Sequence, residues 1–80
     1  MVSAQIAAYL VQVLLLVPSA TGGEPLKTEL HREVISATSP AECERHAERL
    51  AAPRRLANAE LLRNTRGRVV GTCTRLGAPA

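Results

Sequence analysis

The longest apolar stretch of the chain lies near its N-terminus. Residues 6–17 are apolar at every position except Gln12, and the helix breaker Pro18 follows them. This length suits the apolar region of a secretory signal peptide, which spans about 7–15 residues, whereas a membrane-spanning helix needs about 20. Small uncharged residues at 19–23 offer a region in which a signal peptidase can cut. The pattern predicts an N-terminal hydrophobic signal helix, with residues 1–22 as a signal peptide and residues 23–80 as a small domain.

Two alternatives for this segment stay open. No Lys or Arg precedes the apolar run, so the positive charge that usually opens a signal peptide rests on the α-amino group alone. The segment therefore also fits an uncleaved membrane anchor, or a helix buried in a cytosolic protein.

One main helix is expected in the middle of the chain. Ser39 suits the N-cap, Pro40 suits the first helical position, and Glu42 completes a capping box. The helix is expected to end before Pro53. Residues at i, i+4, i+7 and i+8 form its apolar face: Cys43, Ala47, Leu50 and Ala51.

Two strands are expected on either side of this helix. Residues 68–76 are rich in β-branched side chains, and strand alternation places Val69, Gly71 and Cys73 on one face. Residues 27–36 fit a strand or a helical turn, and their β-branched positions favour the strand.

The stretch between the main helix and the last strand fits either a second short helix ended by Gly67 or a loop. The expected fold class is α+β, with a small two-stranded sheet packed on one main helix and stapled by a disulfide.

Composition makes such a crosslink useful. The 57 residues after Gly23 contain eleven Leu, Ile and Val side chains and no aromatic one, which is a thin core for a small domain. In an exported chain Cys43 and Cys73 can form a disulfide, and closing that loop would stabilise the fold by about 3.7 kcal/mol. A zinc site that adds His31 and His46 is the weaker alternative, because the four residues lack the paired short spacings of structural zinc sites.

The order of these segments resembles that of short exported bacterial proteins of uncharacterised activity. In those proteins a signal peptide precedes a strand, a small-residue helix that carries one Cys, and a terminal strand that carries the second. The matching segments here are residues 39–43, 47–52 and 69–73. The resemblance implies a periplasmic or secreted location and a bond between Cys43 and Cys73, and it implies no particular activity.

Positive charge is concentrated in the second half of the chain. Residues 54–80 carry six basic residues and one acidic residue, a net charge of +5, whereas residues 24–53 carry four basic and six acidic residues, a net charge of −2. This asymmetry favours an anionic partner, either an anionic surface or an envelope protein. The candidate patch consists of five arginines: Arg54, Arg55, Arg63, Arg66 and Arg68. Nucleic acid is disfavoured, because the second half has no aromatic side chain on which bases stack.

The sequence favours a binding role over catalysis. Cys43 and His46 are three residues apart, but no glycine-rich oxyanion loop accompanies them, so we assign no catalytic residue, metal or cofactor. The expected protein is a small exported, non-enzymatic binding or interaction protein of the envelope or the cell exterior. The alternatives are a cytosolic Arg-rich nucleic-acid-binding or regulatory protein with reduced thiols, and a membrane-tethered basic peptide.

Overall fold

The computed structural model of the protein describes residues 6–77. Strands β1 (Ala7–Val17), β2 (Leu26–Ala37) and β3 (Arg68–Arg75) form one antiparallel sheet in the order β2-β1-β3. Helices α1 (Pro40–Ala57) and α2 (Ala59–Thr65) connect β2 to β3, and α1 packs on one face of the sheet. The fold class is α+β, as expected, but the sheet has three strands rather than two.

The additional strand is the segment that was expected to be a signal helix. Residues 7–17 form β1, the central strand, and the first five residues of the predicted signal segment lie outside the described residues. Tyr9, Val11 and Val13 alternate along β1 and are buried beneath α1. A short apolar run fits a buried strand as well as a helix, and here β2 and β3 satisfy its backbone on both sides.

Strand β2 confirms the conformation favoured for residues 27–36. Its pairing with β1 shifts between Val13, which lies opposite His31, and Leu14, which lies opposite Glu29, so that Leu30 is an extra residue. Leu30 packs against the core, and the strand beyond this bulge carries His31 on the side that faces α1.

Helix α1 begins where it was predicted. The Ser39 hydroxyl accepts a hydrogen bond from the Glu42 N–H at 3.2 Å. The Glu42 carboxylate in turn accepts from the N–H and the hydroxyl of Thr38, one residue earlier than in the expected capping box.

The predicted end of α1 before Pro53 is wrong, because the helix continues to Ala57. Proline removes one backbone hydrogen bond of the helix. Contacts on both sides of Pro53 hold the helix on the sheet: Ala51 is fully buried, and Arg55 donates to the Val69 carbonyl at 3.1 Å.

Helix α1 and strand β3 are joined by the predicted disulfide. Cys43 is fully buried on α1 and is bonded to Cys73 of β3, with the two Cα atoms 6.2 Å apart. Gly71, on the same face of β3, lets the helix approach, because a Cβ there would lie 2.7 Å from the Ala47 carbonyl oxygen. The shared face of Val69, Gly71 and Cys73 is therefore the face that packs against α1.

Within residues 6–77, neither helix covers the opposite face of the sheet. Leu14 is buried there, and Val34 is 61% exposed. The polar contacts on this face centre on Glu29, which accepts a hydrogen bond from Gln12 at 2.6 Å and forms a salt bridge with Arg32 at 3.0 Å. In the described part of the chain, neither helix has the length and apolar content needed to cross a bilayer.

Candidate binding site

Two connections meet at one end of the sheet. Residues 18–25 join β1 to β2 and are called the hairpin turn, and Arg66 and Gly67 join α2 to β3 and are called the junction. Leu16 pairs with Arg68 in antiparallel strands, so the end of β1 lies beside the start of β3. The hairpin turn and the junction are therefore neighbours in space although they are distant in sequence.

The junction has a backbone conformation that the sequence did not predict. The helical alternative for this region is confirmed by α2, but the expected terminator Gly67 does not take the left-handed conformation. Arg66 takes it instead, with φ of 57°, and that conformation costs a non-glycine residue about 1–2 kcal/mol. Gly67 instead lies close to β1, since an added Cβ would make a tight contact, 3.0 Å from the Leu16 carbonyl oxygen.

A cleft of about 520 Å³ opens between the hairpin turn and the junction. Its lining is apolar, small or cationic: Leu16, Pro18, Pro25, Ser19, Gly22, Gly23, Arg66 and Arg68. No acidic side chain lines it, since Glu24 is exposed and lies outside the lining. Neither Arg66 nor Arg68 forms a salt bridge with any of residues 6–77. The cleft thus carries two cationic side chains that form no salt bridge with residues 6–77.

The five arginines of the predicted patch make different contacts. Arg54 donates from Nη1 to the Leu50 carbonyl at 2.9 Å and so interacts with its own helix. Arg55 donates hydrogen bonds to the Glu48 carboxylate at 2.9 Å and to the Val69 carbonyl of β3 at 3.1 Å. The same Glu48 carboxylate raises the pKa of Arg55, and Arg55 lowers the pKa of Glu48.

Arg63, Arg66 and Arg68, like Arg54, have no salt-bridge partner among residues 6–77. Arg63 is exposed on α2, away from the cleft lining, whereas Arg66 and Arg68 line the cleft. Two of the five predicted residues therefore line the cleft.

The hairpin turn was absent from the predicted site. The sequence predicts a cleavage region at residues 19–23 because it predicts a helix for the segment before them. The Pro, Ser, Thr and Gly content of residues 18–25 is typical of a turn between strands. That signal identifies a hairpin only when residues 6–17 are recognised as a strand.

A second polar cluster joins β2 to α1. One oxygen of the Glu33 carboxylate lies 2.6 Å from His31 Nε2, and the other lies 3.0 Å from His46 Nε2. Each of the three side chains is about one-third exposed. The hydrogen bonds from His31 and then His46 lower the pKa of the Glu33 carboxyl. This cluster links a strand to a helix at the rim of the core.

The weaker zinc alternative for His31 and His46 loses two of its four ligands, because Cys43 and Cys73 are bonded to each other. Across the described residues 6–77, no group of His, Cys, Asp and Glu has the arrangement of a metal site.

Comparisons with protein-family models, with curated proteins and with solved structures found no match to this chain.

Proposed function

We propose that this chain is a small, non-enzymatic binding protein of an oxidising compartment, the periplasm or the exterior of the cell. The observation that carries the proposal is the disulfide between Cys43 and Cys73, which links α1 to β3 inside the core. Structural disulfides persist in exported proteins and are rare in the reducing cytosol.

A binding role is supported by the end of the sheet where the hairpin turn meets the junction. The cleft there has the volume of a small-molecule site. Its two arginines have no salt-bridge partner among residues 6–77 and are available to an anionic partner.

In this proposal, the functional form of the protein retains β1. Removal of residues 1–22 would delete the central strand and with it the pairing to both β2 and β3. The predicted cleavage and the fold described here therefore exclude each other, and an exported protein with this fold keeps its apolar N-terminal run.

The test is the intact mass and thiol state of the protein from fractionated cells, with free thiols alkylated at lysis. We expect a chain that retains residues 7–17, lacks two hydrogens, takes up no alkylating reagent and lies outside the cytosolic fraction. A cytosolic chain with two alkylated cysteines would overturn the proposal and favour the Arg-rich cytosolic alternative. A chain shortened by about 22 residues would support export of the protein, but it would show that the functional form lacks β1 and does not have this fold.

A further inference from the structure

We propose that the cleft between the hairpin turn and the junction binds the phosphate group of a small organic phosphate, with Arg66 and Arg68 as the phosphate ligands. The inference rests on the proposed binding function and names its ligand class. It is carried by three features of the cleft: its charge, its backbone conformation and its apolar wall.

The charge of the cleft fits a doubly ionised group. Arg66 and Arg68 line the same cleft, and no acidic side chain lines it with them. A guanidinium group presents a planar set of N–H donors that matches phosphate oxygens two at a time. Two such groups on one cleft favour an anion with several oxygens and more than one charge.

The backbone conformation of Arg66 is the second feature that points to a ligand. The left-handed conformation at the end of a helix is normally taken by glycine, and a glycine is the next residue in the chain. The fold instead puts an arginine at φ of 57° and uses Gly67 for its close approach to β1. Non-glycine residues in this conformation are concentrated at ligand-binding sites, where positioning offsets the strain.

The rest of the lining suits the organic part of the ligand. Leu16, Pro18 and Pro25 provide an apolar wall beside the arginines, and Ser19 provides a hydroxyl. Small-molecule sites typically combine an apolar wall with a few polar groups that fix orientation. The ligand is therefore a phosphate ester with an apolar body, either a free molecule or the headgroup region of an anionic phospholipid.

The first arm of the experiment uses the oxidised full chain and phenyl phosphate at low ionic strength, followed by backbone amide chemical shifts. We expect saturable shifts confined to the hairpin turn and the junction, and no such shifts with phenol. Arg66→Gly and Arg68→Gln should each weaken binding about tenfold, as expected for the loss of a charge-assisted hydrogen bond.

The matched control is Arg63→Gln, which removes the same charge from an exposed position on α2 outside the cleft. We expect it to change the affinity by less than about twofold. Arg66→Gly also separates binding from folding, since glycine suits the left-handed conformation and the variant should unfold at the same or a higher urea concentration.

The second arm distinguishes the source of the phosphate. It measures co-sedimentation of the same four proteins with phosphatidylglycerol-containing vesicles and with phosphatidylcholine vesicles. Binding to the first vesicles alone, reduced by the two cleft variants and retained by Arg63→Gln, supports a lipid headgroup, whereas saturable binding of phenyl phosphate alone supports a free ester.

Failure of both arms, or equal weakening by all three variants, overturns the inference. An oxidised protein outside the cytosol that shows neither binding refutes this ligand class and leaves the proposed function standing. A cytosolic protein with free thiols refutes the proposed function whatever the purified chain binds.

Discussion

At the residue scale, Gly71 sets the distance between α1 and β3. A Cβ at this position would lie 2.7 Å from the carbonyl oxygen and 2.9 Å from the Cβ of Ala47. Both neighbours belong to the buried side of α1, so they cannot move without shifting the helix. The close approach also keeps Cys43 within bonding distance of Cys73.

We expect Gly71→Ala to lower the free energy of unfolding by about 2 kcal/mol, because the added methyl group overpacks the helix–sheet contact. The measurement is urea denaturation followed by far-UV circular dichroism. Gly23→Ala is the matched control, since its Cβ would meet only the Ser19 hydroxyl at 3.8 Å. Equal stability of the two variants would contradict the close packing at Gly71.

At the element scale, the Glu33 carboxylate connects β2 to α1 through His31 and His46. The strand supplies two of these groups at alternate positions and the helix supplies the third, so the cluster forms only when both elements are in place. Since hydrogen bonds lower the folded-state pKa of Glu33 below its unfolded value, the ionised carboxylate stabilises the folded protein.

This stabilisation has a defined pH window. It is fully present above the unfolded glutamate pKa of about 4.3 and is lost as the pH falls through the lower folded value. We expect Glu33→Gln to be less stable than the unmodified chain at pH 7, with a difference that shrinks below about pH 4. Urea midpoints measured between pH 7 and pH 3 test this expectation.

The control for Glu33 is Glu44→Gln, because Glu44 is exposed on α1 and forms no salt bridge with residues 6–77. Its urea midpoint should follow that of the unmodified chain at every pH. If the urea midpoints of Glu33→Gln and of the unmodified chain differ by the same amount from pH 7 to pH 3, ionisation of Glu33 makes no contribution to stability.

At the scale of the whole molecule, a thin core is held by one central strand and one crosslink. Strand β1 contributes Tyr9, Val11 and Val13 to the two core clusters and pairs with both other strands. The disulfide then closes the chain across 30 residues, between the helix that lies on the sheet and the last strand.

We expect loss of the crosslink to lower the free energy of unfolding by about 3–4 kcal/mol, because the unfolded chain regains the entropy of a loop of this length. The measurement is urea denaturation of the unmodified chain and of the double variant Cys43→Ala/Cys73→Ala, each with and without reductant. Reductant should shift the unmodified chain by a similar amount and leave the double variant unchanged. If reductant does not change the urea midpoint of the unmodified chain, the bond contributes nothing to stability.

Local sequence signals predicted the features that depend on neighbouring residues. The capping serine at 39 fixed the start of α1, and the alternation of Val69, Gly71 and Cys73 gave the face of β3 that meets the helix. These signals succeed because hydrogen bonds and side-chain direction over a few residues depend on local backbone geometry.

Other predictions failed where distant contacts decide the outcome. Pro53 lies inside α1 because contacts of Ala51 and Arg55 with the sheet outweigh one lost hydrogen bond. Arg66, rather than Gly67, takes the left-handed conformation that ends α2, and Gly67 lies close to Leu16 of β1. At Pro53 a neighbour in space overrode the local preference.

By itself the sequence indicated an α+β fold and a capped helix, and it favoured a disulfide between its only two cysteines over a zinc site. Only the tertiary structure decided that residues 7–17 are a central strand and that Arg66 and Arg68 meet the hairpin turn in one cleft. The physical reason is that a short apolar run is equally compatible with a buried strand and with a buried helix. The choice between them depends on whether β2 and β3 are present to pair with its backbone.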